Sequence, residues 1–462
     1  MFGKAALDVG RDTRVERPVG TFKYIDKIRR GSHGLYASIP HGTSLYSMVY
    51  CPYMAVLGKE SIDKLLKQPE EQISIIDLVK GIIEFAYTSR ASDIHMDPFE
   101  DKLIVRFRID GVMHDIFHIP KNIHPEVISR VKVLSGLRTD EHQAPQDGRL
   151  QFTTSDNVKF DIRVSIVPTY HEENTVMRLL IQEGQAAREL ETLGFSERDL
   201  GVVKNAIAKP YGMLLITGPT GSGKTTTLYT MLKKLNQPDV SIITIEDPVE
   251  FSLEGVDQIQ VNSQTELTFA NGLRAILRQD PNIIMVGEIR DEETASIAVN
   301  AALTGHLLLS TLHTNDAATT LPRLLDMGIE PFLIASTVNI AIAQRLVRKI
   351  CPVCKEEEKY SVSALETLGA AFPEGTISAD MNFFKGKGCK TCNNTGYLGR
   401  LPIYEVMDVS DAIREAIIGR VSADELKKIA VHEGMTTMLQ DGIRKSVQGL
   451  TTLEEILRVI HG

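Results

Sequence analysis

The feature that most constrains this chain is a glycine-rich run between an apolar stretch and a helix-forming stretch. It reads Gly218-Pro219-Thr220-Gly221-Ser222-Gly223-Lys224-Thr225 and fits G-x-x-x-x-G-K-[ST] at every position. Residues 213–217 predict a buried strand, and residues 226–235 predict a helix. Glycines let backbone N–H groups surround phosphates, and the helix N-terminus attracts negative charge. We therefore expect Gly218 to Thr226 to bind a nucleotide, with Lys224 at its β- and γ-phosphates and Thr225 at Mg²⁺. A chance glycine-rich turn is the alternative, which the flanking strand and helix disfavour.

Composition indicates an ordinary globular protein with room for about two to four domains. The 462 residues are 43% hydrophobic and 24% charged, with a net charge of −9. This charge argues against extensive nucleic-acid coating, although a total would not reveal a local basic channel. Residues 1–14 carry charges throughout, which predicts no secretory signal. The uncharged stretch 294–315 contains Asn300 and two histidines, so a helix followed by a strand explains it better than a membrane span. We expect a soluble protein with at most peripheral membrane association.

The first part of the chain predicts a small α+β domain at 71–181 after a short N-terminal region, 1–70. Residues 31–58 lack Asp, Glu, Lys and Arg and include several tyrosines, which suits either internal packing or docking to a partner. Residues 75–85 have helical spacing, and Asp110-Gly111 predicts a hairpin between two strands. Further strands are predicted at 157–165 and 175–180. Strands interrupted by helices are typical of an α+β fold.

The remainder predicts a parallel α/β domain at 193–462, joined to the first by a linker at 182–192. Its polar part is 182–188. Strand-like segments that alternate with helices occur at 213–217, 241–246, 283–287 and 307–311. Alternation of this kind favours a parallel sheet with crossover helices. The last part, about 405–462, is predicted to be helical.

Two apolar strands end in acidic residues, as expected beside a phosphate loop. One ends at Glu288, which could orient or deprotonate an attacking water. Gly287 occupies the position where an Asp is usual, so support for magnesium must come from elsewhere. The strand ending at Glu246 and Asp247, with Glu250 just beyond, is the predicted source. A solvated strand end is the alternative for any one of these acids.

Histidines flank the strand at 307–311. His306 and His313 could together sense the γ-phosphate or couple neighbouring subunits, although an isolated histidine is usually structural. His95 has no partner ligands at a useful spacing, so we interpret it as structural.

Four of the five cysteines form two C-x-x-C pairs. Cys351 with Cys354, and Cys389 with Cys392, suit a tetrahedral zinc site in a module at about 345–400. The connecting loop is longer than in common zinc ribbons, and a redox pair is the alternative. With four protein ligands the zinc would be structural, so its loss should damage folding of the module.

Four arginines of the α+β domain are candidates for contacting phosphate: Arg106, Arg108, Arg149 and Arg163. Phosphoryl transfer gains about 10³–10⁵-fold from a well-placed arginine. The α/β domain has no evident candidate, so the other domain or a neighbouring subunit would supply it. Taken singly, each arginine more often forms a surface ion pair.

Residues 73–462 resemble the type II secretion and type IV pilus assembly ATPase family. The resemblance rests on Ala91-Ser92-Asp93-Ile94-His95, Arg108-Ile109-Asp110-Gly111, Pro145-Gln146-Asp147-Gly148-Arg149, Arg163-Val164-Ser165, the glycine-rich run, Ile245-Glu246-Asp247-Pro248-Val249-Glu250, Val286-Gly287-Glu288-Ile289-Arg290-Asp291, Leu303-Thr304-Gly305-His306 and Thr311-Leu312-His313-Thr314-Asn315. Two segments depart from the family's pattern. The N-terminal region is short, and His171-Glu172-Glu173-Asn174 replaces a turn that usually contains glycine at its second position.

The resemblance implies a hexameric RecA-like motor ATPase preceded by a PAS-like α+β domain. It assigns Glu288 as the catalytic glutamate, Glu246, Asp247 and Glu250 to an acidic box, and His313 to a histidine box. It assigns phosphate contacts to Arg149 and Arg163. The four cysteines match the zinc module of assembly and secretion members, which retraction members generally lack.

The implied ligands are ATP, Mg²⁺ and structural Zn²⁺. The implied location is the cytoplasmic face of the inner membrane, where a platform protein and anchor proteins of the pilus or secretion machine would be partners. No nucleic-acid partner is expected. A DNA-translocating RecA-like ATPase and a nucleotide-gated scaffold with little turnover remain the alternatives. DNA-stimulated hydrolysis would indicate the first, and negligible phosphate release the second.

Overall fold

A computed structural model describes residues 53–181, 189–358, 377 and 381–461 of the chain. The polar linker segment 182–188, most of the N-terminal region and Cys51 lie outside the described residues. Cys51 to Gly462 form one compact unit. Its described residues form two large sheets with separate hydrophobic cores and a small two-stranded sheet.

The first sheet has six antiparallel strands in the order β3-β2-β1-β6-β5-β4. Its elements are α1 (Tyr53–Leu66), α2 (Ile75–Thr88), β1 (Ala91–Pro98), β2 (Lys102–Ile109), β3 (Val112–Pro120), α3 (His124–Ser135), β4 (Gln146–Thr153), β5 (Lys159–Thr169) and β6 (Glu172–Leu180). The apolar face of α2 packs on one side of this sheet because its buried residues recur at helical spacing. The predicted α+β arrangement of helix and strands is confirmed.

Two tight turns of this sheet use left-handed backbone conformations. Asp110 and Gly111 have φ of 49° and 87° and join β2 to β3, which confirms the predicted hairpin. Glu172 has φ of 93° between β5 and β6, a value that favours glycine. Its carboxylate lies 2.6 Å from Nδ1 of the buried His124. The turn therefore keeps the left-handed conformation although glycine is absent.

The second sheet has seven strands in the order β15-β12-β7-β11-β10-β8-β9. Its first half comprises α4 (Glu197–Ile207), β7 (Gly212–Thr217), α5 (Lys224–Leu235), β8 (Ile242–Glu246), β9 (Asp257–Gln260), α6 (Phe269–Ile276), β10 (Ile283–Val286), α7 (Glu292–Leu303) and β11 (Leu307–Leu312). The pairs within β12-β7-β11-β10-β8-β9 are all parallel, which confirms the predicted parallel α/β sheet. The uncharged stretch 294–315 is a helix followed by a strand, as expected.

The second half of this region adds an antiparallel edge strand, a two-stranded antiparallel sheet and a helical end. It comprises α8 (Thr320–Asp326), α9 (Pro331–Thr337), β12 (Val338–Ile350), β13 (Lys355–Glu358), β14 (Phe383–Gly386), β15 (Tyr397–Asp408), α10 (Asp411–Ile418), α11 (Ala423–His432), α12 (Met438–Val447) and α13 (Leu453–His461). Short 3₁₀ helices lie at Glu70–Gln72, Lys121–Ile123, Leu190–Thr192, Ser263–Thr265 and Lys390–Cys392. Across the described ranges, no helix has both the length and the apolar character needed to cross a membrane.

Parallel pairing places the segments that follow β7, β8, β10 and β11 at one edge of the second sheet. Strands β7 and β11 are buried along their whole length, so both faces of the sheet centre are covered. Ligands of open α/β sheets bind beyond the carboxyl ends of the strands. This edge is therefore the candidate site.

Candidate functional site

The glycine-rich run forms a tight loop between β7 and α5. Gly218, Gly221 and Gly223 have φ of 141°, 77° and 89°, conformations that residues with a Cβ rarely adopt. A Cβ on Gly218 would lie 2.3 Å from the backbone oxygen of Gln344, so close packing also requires glycine there. The three glycines thus give the loop a backbone conformation that leaves room for a ligand to approach closely.

Lys224 folds back over this loop. Its Nζ donates to the carbonyl oxygens of Gly218 (2.7 Å) and Pro219 (3.2 Å). Burial lowers the pKa of Lys224, and the nearby charge of Glu288 acts in the opposite direction. A phosphate would offer the ammonium group a charged acceptor in place of two neutral ones. Within the described residues, the buried hydroxyl of Ser222 has no hydrogen-bond partner, which also fits a loop that awaits a polar ligand.

Gln344 of β12 is hydrogen-bonded to the phosphate loop and to the helix that follows it. Its Nε2 donates to the backbone oxygen of Ser222 (2.8 Å), and its Oε1 accepts from the Thr227 hydroxyl (2.7 Å). The side chain is buried, so neither contact competes with bulk water. No role was predicted for Gln344, although a glutamine directly after the apolar residues 340–343 is a detectable signal.

We expect Gln344→Ala to weaken ATP binding about tenfold, because losing two buried hydrogen bonds costs about 1–3 kcal/mol and frees the loop. Titration with a fluorescent ATP analogue measures this. Asn339→Ala is the matched control, since Asn339 is a buried amide on the same strand that donates to Tyr211 at the opposite end of β7 (2.9 Å). Equal loss of affinity in both variants would contradict a specific role for Gln344.

Glu288 lies at the end of β10 between two possible donors. Its Oε1 is 2.5 Å from Nη2 of Arg290, and its Oε2 is 3.0 Å from Nε2 of His313. The hydrogen bond that Arg290 donates to the Glu288 carboxylate raises the pKa of Arg290. Glu288 as a whole residue is 9% exposed, so its side chain is largely shielded from solvent. The structure therefore brings Glu288 and His313 together, and adds Arg290, to which no role was assigned from the sequence.

A threonine pair joins the strand ends next to these groups. The Thr217 hydroxyl, at the last residue of β7, accepts from the backbone N–H of Thr314 (2.7 Å) and donates to Leu312 O (3.0 Å). His313 lies between these two partners. The strand end before the phosphate loop is therefore hydrogen-bonded directly to the residues on either side of His313.

His306 lies at the other end of β11. Its Nδ1 is 3.0 Å from the backbone oxygen of Ala301, near the end of α7. Because β11 runs parallel to β7, His306 is at the amino edge of the sheet and His313 at the carboxyl edge. The hypothesis that both histidines act together at one phosphate is not supported by this placement.

Three acids lie at the last residue of β8 and just beyond it, in residues 246–251, which we call the acidic segment, and they are placed differently. Glu246 is 3% exposed and accepts from the Thr244 hydroxyl (2.6 Å) and from the amide of Gln258 (3.1 Å). Asp247 is exposed, and Glu250 lies 3.9 Å from Nη2 of Arg163. Asp247 and Glu250 are therefore more accessible to a ligand than Glu246.

The arginines form a row across the first sheet. Arg108, Asp93, Arg178, Arg163 and Arg149 are successive register partners on neighbouring strands and thus share one face. Arg178 was not singled out from the sequence; only the strand register reveals it. Like charges placed directly opposite one another repel, so this row favours an anion.

Only part of the row reaches the second sheet. Arg163 donates to the backbone oxygen of Val249 (3.1 Å), beside the acidic segment. Burial lowers the pKa of Arg163, while the charge of Glu250 acts to raise it. Arg149 pairs with Asp161 (2.5 Å) and is more than half exposed.

The remaining two candidates pair within the first sheet. Arg106 lies 2.6 Å from Asp97, and Arg108 lies 3.5 Å from Asp93. Neither pair includes a residue of the second sheet.

The four predicted zinc ligands come together in one cluster. The Sγ atoms of Cys351 and Cys389, and those of Cys354 and Cys392, are 3.8 Å apart, and all four lie within 4.8 Å of one another. Zn–S bonds of about 2.3 Å in a tetrahedron separate sulfurs by about 3.8 Å. Backbone N–H groups of Cys389 and Gly396 point at Cys392 Sγ (3.2 and 3.3 Å), as suits a thiolate. The donor set fits a closed zinc site.

Comparison with known proteins gives consistent matches over most of the chain. The family described as Type II/IV secretion system protein matches residues 68–458. The type IV pilus assembly ATPase PilB of Myxococcus xanthus is 46% identical over 398 residues, covering 86% of this chain and 70% of its own length. The type II secretion system protein E of Pseudomonas aeruginosa is 46% identical over 395 residues, covering 85% and 77%.

Other matches differ more in extent. PilB of Thermus thermophilus is 47% identical over 400 residues, but this chain spans only 44% of its length. Among solved structures, the pilus retraction motor PilT with bound ADP is 28% identical with a TM-score of 0.56, covering 82% of this chain and 96% of that one. The Legionella pneumophila ATPase DotB, at 22% identity and a TM-score of 0.61, shares the fold.

Proposed function

Because this chain belongs to the type II/IV secretion system protein family, we propose that it is a hexameric motor for type IV pilus assembly or type II secretion. The chain is an ATPase of this family. The observation that carries the proposal is the grouping of Glu288 with His313 and Arg290 near Lys224, in a chain 46% identical to an assembly ATPase. Hydrolysis would drive extension of a pilus or pseudopilus.

In this proposal, residues Gly218 to Thr226 hold ATP and Thr225 holds Mg²⁺, which would neutralise phosphate charge. Lys224 exchanges its two carbonyl acceptors for phosphate oxygens. Glu288 orients and deprotonates the attacking water, and His313 fixes the carboxylate in position. Asp247 and Glu250, which follow β8, would help to hold the magnesium ion, whose charge would stabilise the phosphates.

The α+β domain supplies positive charge in this proposal. Arg163 already contacts the acidic segment through Val249, and Arg149 is its register partner on β4. An ATP molecule at the loop would attract both guanidinium groups, from the same chain or from a neighbouring one. Closure of the α+β domain over the nucleotide would convert binding into movement.

The proposal also covers the metal, the location and the partners of the motor. The four cysteines bind structural zinc in this proposal, as the sulfur geometry supports. The motor acts at the inner face of the cytoplasmic membrane with a platform protein and anchor proteins of the fibre machine. Residues 1–70 are a candidate docking segment.

Steady-state phosphate release by the purified full chain tests this function. We expect sustained turnover with MgATP that Lys224→Ala reduces to background, because the ammonium group is lost from the phosphates. Lys428→Ala, which changes an exposed lysine of α11, is the matched control and should keep the wild-type rate. Negligible wild-type turnover would favour a scaffold, and strong salt-sensitive stimulation by DNA would favour a DNA translocator.

A further inference from the structure

Glu246 points into the protein and not into the site. Along β8, the side chains of Ile242, Thr244 and Glu246 alternate onto the face that packs against α5. Ile243 and Ile245 occupy the opposite face, in a different cluster of the core. The last residue of β8 therefore projects toward the helix that begins with Lys224.

Three donors surround the Glu246 carboxylate. Oε1 accepts from the Thr244 hydroxyl (2.6 Å) and from Gln258 Nε2 (3.1 Å). Oε2 accepts from the phenol of Tyr229 on α5. An ionised carboxylate can only accept hydrogen bonds, and these three donors offset the loss of its hydration. These donors occupy most of the acceptor sites of the carboxylate, so little capacity is left for Mg²⁺.

Tyr229 contacts the acidic segment at more than one point. Its ring packs edge-on against Phe251, with centroids 4.7 Å apart. Burial, and then the charge of Glu246, raise the pKa of the Tyr229 phenol, so it stays a donor. Gln258 Nε2 also contacts the Tyr229 oxygen (3.3 Å) and Phe251 O (3.2 Å). The segment that carries Asp247 and Glu250 is thus in contact with α5 at both of its ends, through Glu246 and through Phe251.

We propose that Tyr229 and Glu246 are a pair of positioning residues that fix the segment bearing Asp247 and Glu250 relative to the helix that follows the phosphate loop. Glu246 then acts through its neighbours and does not bind magnesium. The inference rests on the proposed function, because it concerns residues that act on ATP and Mg²⁺ in that function. It revises the sequence-based expectation that Glu246 supplies a magnesium ligand.

Three variants of the full chain test the pair: Tyr229→Phe, Glu246→Gln and the double substitution. We expect each single variant to lower kcat about tenfold, with the KM for ATP within about twofold of wild type. Displacement of catalytic groups by less than 1 Å accounts for losses of this size. The double variant should be no slower than the slower single variant, because both changes break one contact.

Two further measurements separate positioning from metal binding. Without nucleotide, hydrogen–deuterium exchange of residues 247–257 should rise at least about tenfold in Tyr229→Phe and Glu246→Gln, since the segment is released. The affinity of Mn²⁺–ADP, followed by electron paramagnetic resonance, should stay within about twofold of wild type. Weaker Mn²⁺–ADP binding by Glu246→Gln alone would assign Glu246 to the metal and overturn the inference.

The matched control is Tyr404→Phe, which removes the hydroxyl group of another buried tyrosine. This hydroxyl donates to the backbone oxygen of Leu193 (3.2 Å), away from the site. It should leave kcat and exchange at 247–257 unchanged. If Tyr229→Phe did not fold, Gln258→Leu would test the same contacts. If Tyr229→Phe kept the kcat and the exchange rates of the unsubstituted protein, the inference would be overturned and the proposed function would stand. If the unsubstituted protein itself showed no turnover, the proposed function would be overturned.

Discussion

Replacing Glu288 with glutamine should lower steady-state ATP hydrolysis by at least about 100-fold, while ATP affinity stays within about threefold of wild type. A positioned general base contributes about 10²–10⁴-fold, and glutamine cannot accept the proton from water. The substitution keeps the size of the side chain and an oxygen that can face His313 or Arg290. The loss should therefore fall on kcat and spare binding.

The measurement is phosphate release at saturating MgATP together with a binding titration. Glu293→Gln is the matched control, because Glu293 is an exposed residue of α7 that pairs with Arg274 on the surface (2.6 Å). It should hydrolyse ATP at the wild-type rate. Wild-type turnover in Glu288→Gln would refute the assigned mechanism, and a large loss of affinity would point to a binding role.

Treatment with a chelator should release about one zinc ion per chain and lower the melting temperature of the protein by about 10 °C. Several kcal/mol of metal-binding free energy contribute to folding, and each kcal/mol shifts the melting temperature of a domain by about 2–4 °C. Cys351 and Cys392 are buried, so their thiolates would lose both the metal and their packing. Calorimetry and a colorimetric zinc assay, before and after chelation, measure the two quantities.

Cys351→Ser should reproduce the effect of chelation. A reducing agent without chelator is the control and should change neither the melting temperature nor the zinc content. A strong effect of reduction alone would favour the redox alternative for the two C-x-x-C pairs. Retained zinc in Cys351→Ser would contradict the four-sulfur site.

Local patterns predicted the elements of this fold well. The segment before Gly218 is a buried strand, and the apolar segments before Asp247 and Gly287 are parallel strands of the same sheet, because apolar runs with polar ends fit such strands. The turn at Asp110-Gly111 needs positive φ at both positions, which the residue types indicate. The two C-x-x-C pairs have a spacing that metal binding requires.

Contacts between distant segments could not be read in this way. Gln344 lies more than a hundred residues after the loop that it braces, and Arg178 joins the arginine row only through strand register. Glu246 belongs to an acidic motif, yet the phenol of Tyr229 on another element turns it into a buried acceptor. A pattern of residue types shows which side chains could act, whereas burial and partners decide which of them reach a ligand.

The hydrogen bonds at Thr217 have a consequence for how this enzyme can be altered. Since the Thr217 hydroxyl holds Thr314 at 2.7 Å, insertions or deletions next to His313 would also displace the base of the phosphate loop. Chimeras with related motors should therefore keep activity when residues 212–225 and 307–320 are exchanged together. Exchange of either segment alone should produce a folded protein with reduced activity, because the phosphate loop and His313 would no longer be correctly placed relative to each other.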